Sequence, residues 1–155
     1  SWVVSEAALV SVTPAHLEEV AENMRPEDVA ECAAMQGMEP LAVLLHSVRH
    51  SEVSYAMVVQ AGTLAVLGLG PSREPRVGVA WLLSTRLVDS HPKSFVRASR
   101  VGFDLFLGRY ATLVNLVDAR YAKALRWAQW LGFEIGSGVP CGVAGLEFCL
   151  AVLRR

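Results

Sequence analysis

The chain has 155 residues, a formal net charge of −1, 53% hydrophobic residues and 19% charged ones. That length predicts one domain, and that balance supplies enough apolar surface for a sizeable core, which excludes a disordered chain. Lys and Arg are interspersed with Asp and Glu. No basic stripe therefore predicts a nucleic-acid partner, and there is no acidic tail.

Cys32, Cys141 and Cys149 are odd in number and lack metal-ligand spacing. They read as small apolar side chains in a reducing, cytoplasmic compartment. The opening Ser-Trp-Val-Val-Ser-Glu has no basic start and is interrupted by Glu6, so no secretory leader is expected.

Ala8–Val12 reads as a short strand. Thr13-Pro14 supplies an N-cap followed by proline at the first helical position. Arg25-Pro26 interrupts that helix, and a second begins with Glu27 and Asp28 at its positive end and stops at Gly37. A third, Pro40–His50, places Leu41, Leu44, Leu45 and Val48 on one face.

Val53–Ser72 carries no charge and is long enough to span a bilayer, which needs about 20 apolar residues. Gln60, several glycines and Pro71 interrupt it, and Ala61-Gly62 separates two β-rich runs, Tyr55–Val59 and Thr63–Leu67. A buried hairpin is expected instead, with no membrane span.

A turn over Gly68–Pro75 leads to a central strand, Arg76–Thr85. In residues 86–110, Phe95, Ser99, Gly102, Phe103, Phe106 and Tyr110 recur at helical spacing and predict one long amphipathic helix. Thr112–Asp118 is a strand, Ala119–Leu131 a helix closed by Gly132, and Phe133–Ile135 the start of another strand. Gly145–Leu153 is the last. Strands alternating with long helices toward the C-terminus predict parallel crossovers in a mixed sheet, an α/β sandwich.

This element order, with Ala124, Leu131, Gly132 and Phe133 in the frame of a helix closed before an aromatic strand, resembles the GNAT superfamily of acyl-CoA N-acyltransferases. The resemblance implies a GNAT-like α/β fold, a mixed central sheet flanked by helices. Gln36–Pro40, Trp81–Thr85, Phe95–Arg100 and Leu113–Phe133 further resemble one phage and prophage branch, similar to the internal virion proteins of short-tailed phages. That narrower resemblance implies virion morphogenesis, with virion or host proteins as partners.

GNAT enzymes hold the acyl-CoA pyrophosphate on a glycine-rich loop after the central strand, where backbone N–H groups face the anion. The corresponding stretch, Ser84–Phe95, contains no glycine. Substitute anion ligands nearby are Ser84, Thr85, Arg86, His91, Lys93, Arg97 and Arg100. The other reading makes Ser90 a helix cap and the charged residues solvated. Gly68–Ser72 lacks the Lys-Ser/Thr of a phosphate loop and precedes a strand.

Many GNAT enzymes protonate the leaving thiolate with a tyrosine four residues before the helix-ending glycine. Here that residue is Ala128, which transfers no proton. Tyr121 replaces the motif asparagine, too early on the helix to inherit the role, and is the weak catalytic candidate.

His46 and His50 have metal-pair spacing but no third ligand, so no metal is expected. Asn115, Asp118 and Arg120 lie at the strand end where α/β sheets bind ligands. They read equally as structural, with Asp118 capping the next helix and Arg120 paired to a carboxylate. Trp127 and Trp130 read as core packing or as a partner surface.

The missing glycines and missing acid favour a non-catalytic virion or interaction protein on a degenerate scaffold, with acetyl-CoA bound weakly or not at all. The alternative is an acyl-CoA-dependent N-acetyltransferase with an altered pyrophosphate loop.

Overall fold

The uncharged stretch folds as a hairpin inside the protein. In the computed structural model, which describes residues 7–155, β2 (Val53–Val59) and β3 (Gly62–Pro71) pair antiparallel. Gln60-Ala61 form the turn, one residue before the expected Ala61-Gly62, and Gly62 opens β3 with φ of 146°, a value L side chains rarely adopt. Part of the leader reading falls on residues 1–6, outside the described residues.

Residues 63–70 of β3 are all buried, because helices cover both faces of this central strand. β3 runs through Pro71, so the connection predicted over Gly68–Pro75 begins later. Gly68 and Gly70 serve close packing instead. A Cβ on Gly68 would meet the Trp81 ring at 2.5 Å, and one on Gly70 would meet the His50 carbonyl at 2.9 Å.

One mixed sheet forms in the order β1-β2-β3-β4-β5-β7-β6. β1 is Ala8–Ser11, β4 Val77–Ser84, β5 Thr112–Asp118, β6 Glu134–Cys141 and β7 Leu146–Arg154. β4 and β5 form the parallel pair, and the other neighbours are antiparallel. The second expected crossover does not pair its strands directly, because β7 inserts between β5 and β6.

The helices α1 (Pro14–Asn23), α2 (Pro26–Gln36) and α3 (Pro40–Arg49) begin at prolines, where the absent N–H has no partner to lose. Thr13 caps α1 in a capping box with His16. Gly37 ends α2 at φ 63°. On α3 Leu44 is buried and Val48 packs partly buried on the core, as predicted, whereas Leu41 and Leu45 stay exposed and Val43 is buried in their place.

α4 (Pro92–Leu107) is shorter than the predicted helix, and Tyr110 lies beyond it. Arg86–Ser90 form a separate 3-10 turn, since Pro92 cannot donate the bond that would join them. Ser90 is not the cap; His91 holds that position without a side-chain bond. α5 (Ala122–Trp130) has Tyr121, not Asp118, at its N-cap.

Two cores result. Phe95, Phe103, Phe106 and Phe133 pack on the α4–α5 face. Leu17, Val20, Leu44, Val66 and Leu83 pack under α1–α3. No described helix is long and apolar enough to cross a membrane.

Candidate functional site

β4 and β5 pair over Val77–Val79 and Thr112–Val114, and the register goes no further. Beyond that point β4 stays with β3, and β5 stays with β7 as far as Asp118. The two strands share no further partner, so they separate toward their C-terminal ends, where open α/β sheets bind ligands.

Helix α2 lies across the mouth of this split. The Asp28 carboxylate accepts the Ser84 N–H at 2.8 Å and the Ser84 hydroxyl at 3.0 Å, both at the end of β4. One turn further along α2, the Glu31 carboxylate accepts the Asp118 N–H at 3.3 Å, at the end of β5. Each strand end is thus fastened to its own carboxylate.

Burial pushes the Asp28 carboxyl above its ordinary range, outweighing the bonds from Ser84. Burial, reinforced by the charges of Asp28 and Asp118, raises Glu31 to about 7. Asp118 goes the other way: burial pushes it up, but the side chain and N–H of Arg120 outweigh that and hold it low. Burial also raises the Cys32 thiol to about 12, so it is no nucleophile.

A cavity opens on each face of the split. The larger, about 520 Å³, lies between α2, α3 and strands β4, β5 and β7. The smaller, about 240 Å³, lies under α4 and α5. Glu31, Leu82 and Asn115 line both, so little more than these side chains separates them.

The smaller cavity is a sleeve of Phe95, Phe103, Val117, Ala128 and Phe133, with Arg25, Lys123 and Arg126 among its other lining residues. Trp127 also lines it and stacks on Phe95 with ring centroids 5.3 Å apart. The Trp127 indole N–H is buried and has no hydrogen-bond partner. An orphaned donor in an apolar sleeve suits a ligand carbonyl. A pantetheine arm, whose short alkyl segments alternate with amides, fits this lining. Of the cations, Arg126 suits its phosphates, while Lys123 is paired with Asp89 at 3.3 Å, and Asp28 and Glu31 line the same cavity with the opposite charge.

The glycine-free junction supplies no ordinary phosphate cradle, and several of the suggested anion ligands bond within the protein. Ser84 is tied to Asp28, and the Thr85 hydroxyl donates to the Thr63 carbonyl at 2.8 Å. Arg86 and Arg97 are exposed. His91 Nδ1 lies 3.1 Å from the Leu87 carbonyl, and Arg100 donates to the Trp130 carbonyl at 2.9 Å.

Asn115 and Asp118 do lie at the split. The Asn115 side-chain oxygen accepts the Leu116 N–H at 2.8 Å. Arg120 pairs with Asp118 at 2.8 Å. The Tyr121 hydroxyl stands 3.5 Å from Arg120. His50 Nδ1 lies 2.8 Å from the His46 carbonyl, and no described group of three His, Cys, Asp or Glu could hold a metal. Trp127 is partly buried and packs against the core, whereas Trp130 is 67% exposed.

Sequence reasoning missed Glu31 and took Asp28 for a helix-end charge. The available signal was their helical spacing with Cys32 and Met35, which puts carboxylates on a face otherwise apolar.

No family model and no curated protein matches the sequence. Among solved structures, an acetyltransferase of the GNAT family from Bacillus anthracis superposes with a TM-score of 0.72 at 6% identity, over 96% of this chain and 95% of that one. A spermidine N-acetyltransferase chimera from Vibrio cholerae gives 0.71 at 8% identity, over 97% and 96%. A protein of Salmonella typhimurium assigned as an acetyltransferase, solved with acetyl-CoA, gives 0.67 at 14%, over 96% and 93%. The chain has the GNAT acyltransferase fold.

Proposed function

We propose that the protein is an acyl-CoA-dependent N-acyltransferase with an altered phosphate site. The observation that carries this reading is the split between β4 and β5, with a cavity on each face meeting at Leu82 and Asn115. Two reactants approaching from opposite faces meet there without competing for space. The thioester donor takes the smaller cavity, its carbonyls within the reach of the Trp127 N–H, and an amine takes the larger. Bound acyl-CoA supplies the activated carbonyl; the chain supplies position and a carboxylate.

The test combines calorimetry with acetyl-CoA and release of free thiol in the presence of a panel of amines. Binding is expected to be saturable but weaker than a Kd of about 1 μM, or about −8.2 kcal/mol, because the glycine cradle is missing. No saturable binding up to about 1 mM, a Kd worth about −4.1 kcal/mol, together with no thiol release, would overturn the reading.

A second reading, a non-catalytic virion morphogenesis or interaction protein, is favoured by one observation. Ser84 and Thr85, at the junction that would hold phosphate, spend their hydroxyls inside the protein. Its phage component rests on motif resemblance. The same assay separates the two readings.

A further inference from the structure

The larger cavity has the chemistry of a ligand site in its own right. Its floor carries Val79, Val114, Leu116 and Leu150, with Trp81 beside them. Val79 and Leu150 are 37% and 42% exposed, so large apolar side chains face water inside a concave surface. Water gains by leaving such a floor when an apolar group takes its place.

Glu31 gives the cavity its charge. Among the described residues that line it, Glu31 is the one carboxylate and Lys and Arg are absent; the other titratable lining groups are His46 and His50, on the α3 side, and Cys32. Asp28 and Asp118 stand behind Glu31 and add to the negative potential, while Arg120 is turned to Asp118. The lining therefore complements one positive charge attached to an apolar body.

We propose that this cavity receives a small primary amine carrying an apolar or aromatic substituent, its ammonium on the Glu31 carboxylate and its substituent over Val79, Val114, Leu116 and Leu150. A polyamine fits poorly, since its further charges would lie on the apolar floor without partners. On the acyltransfer reading, Glu31 also takes a proton from the bound ammonium. One N–H bond breaks and one O–H bond forms, and the electron pair stays on nitrogen. The neutral amine that remains lies beside Leu82 and Asn115, at the border of the other cavity.

The amine site rests on that reading for its chemistry but not for its binding, and the two are tested apart. The protein is titrated calorimetrically with 2-phenylethylamine and with spermidine, without acyl-CoA. Parent, Glu31→Gln and Leu150→Asp are compared after their folding is checked by circular dichroism and melting. Leu150 is exposed, so its variant is expected to fold.

Saturable 2-phenylethylamine binding is expected, tighter than spermidine and weakened about tenfold or more by each substitution. The proposal is overturned by no saturation up to about 10 mM, by unchanged affinity in Glu31→Gln, or by preference for spermidine. Thiol release is then followed with acetyl-CoA. Amine binding without thiol release sinks the acyltransfer reading and leaves the site. Acetylation of other amines or of protein lysines alone, with no 2-phenylethylamine binding, does the reverse.

Discussion

The Asp28 carboxylate accepts two hydrogen bonds from Ser84, from the backbone N–H at 2.8 Å and from the hydroxyl at 3.0 Å, and so ties α2 to the end of β4. Ser84 is 3% exposed, which leaves its donors little access to water. Asp28→Ala strands both. Leaving a buried donor unpaired costs about 1–3 kcal/mol, and in a domain of this size each kcal/mol lowers Tm by about 2–4 °C. Asp28→Asn keeps an acceptor oxygen and should lose less. Thermal and urea unfolding measure both, and an alanine variant that melts with the parent would remove the fastening role.

Glu31 sets a pH dependence of opposite sign to that of most carboxylates. Burial pushes its pKa from the ordinary 4.5 up to about 7, so the folded state holds its proton more tightly than the unfolded state. Its contribution is full below about 4.5 and is lost as pH rises through about 7. Asp28 is raised too and acts in the same direction, while Asp118 is lowered and stabilises at higher pH. Glu31→Gln removes the ionisation and should flatten the decline, leaving the variant more stable than the parent at pH 8. Urea midpoints measured across this range decide it; an equally steep decline in the variant would point to another group.

These two carboxylates also mark where the sequence was legible and where it was not. Proline starts, Gly37, Gly62 and the alternation of Thr112–Asp118 are local signals, and each marks a real element or end. The GNAT fold was legible because motif frame and element order agreed. The site depends on contacts far apart in sequence, such as Asp28 with Ser84 and Glu31 with Asp118. Periodicity cannot reveal which strand end a helix crosses. Nor did it show that a 3-10 turn, and not the start of the long helix, follows Ser84 and Thr85.

The two tryptophans should separate. Trp127 packs between Phe95 and Phe103 with centroids at 5.3 and 6.2 Å. Trp127→Ala should cost about 3–5 kcal/mol, whereas Trp130→Ala, at an exposed position, should stay within about 0.5 kcal/mol. Trp127→Phe keeps a ring and deletes the orphaned N–H. It should leave stability nearly unchanged yet raise the Kd for acetyl-CoA between about twofold and tenfold, the equivalent of a lost hydrogen bond. Unaltered acetyl-CoA binding in that variant would place the cofactor elsewhere.

Tyr121 should be silent in chemistry. It is the N-cap of α5, with its hydroxyl 3.5 Å from Arg120, and it lines neither cavity of the split. Tyr121→Phe should leave kcat for any amine acetylated within about twofold. Losing a general acid costs about 10²–10⁴ in rate, so a hundredfold fall would return Tyr121 to the mechanism.

The far end of α2 is held by the β6–β7 turn, and one glycine permits the contact. The Val143 N–H donates to the Met35 carbonyl at 3.2 Å, and the Ala144 N–H donates to Ala34 at 3.1 Å. Gly142 precedes them at φ 72°, and a Cβ there would meet the Met35 Cα at 2.6 Å and the Ala34 carbonyl at 2.8 Å. Those neighbours are backbone and cannot swing aside. Gly145, in the same turn at φ 65°, has nothing within 4 Å of its Cβ position. Gly145→Ala therefore meets the backbone penalty alone, about 1–2 kcal/mol. Gly142→Ala meets that penalty and the clash, so it must cost more, and amide exchange at Val143 and Ala144 should accelerate as the turn leaves the helix. Met35 and Glu31 both line the larger cavity, so the same variant should weaken amine binding there while Gly145→Ala does not. Equal destabilisation by the two substitutions, with equal exchange at Val143, would mean that the turn does not hold α2 in place.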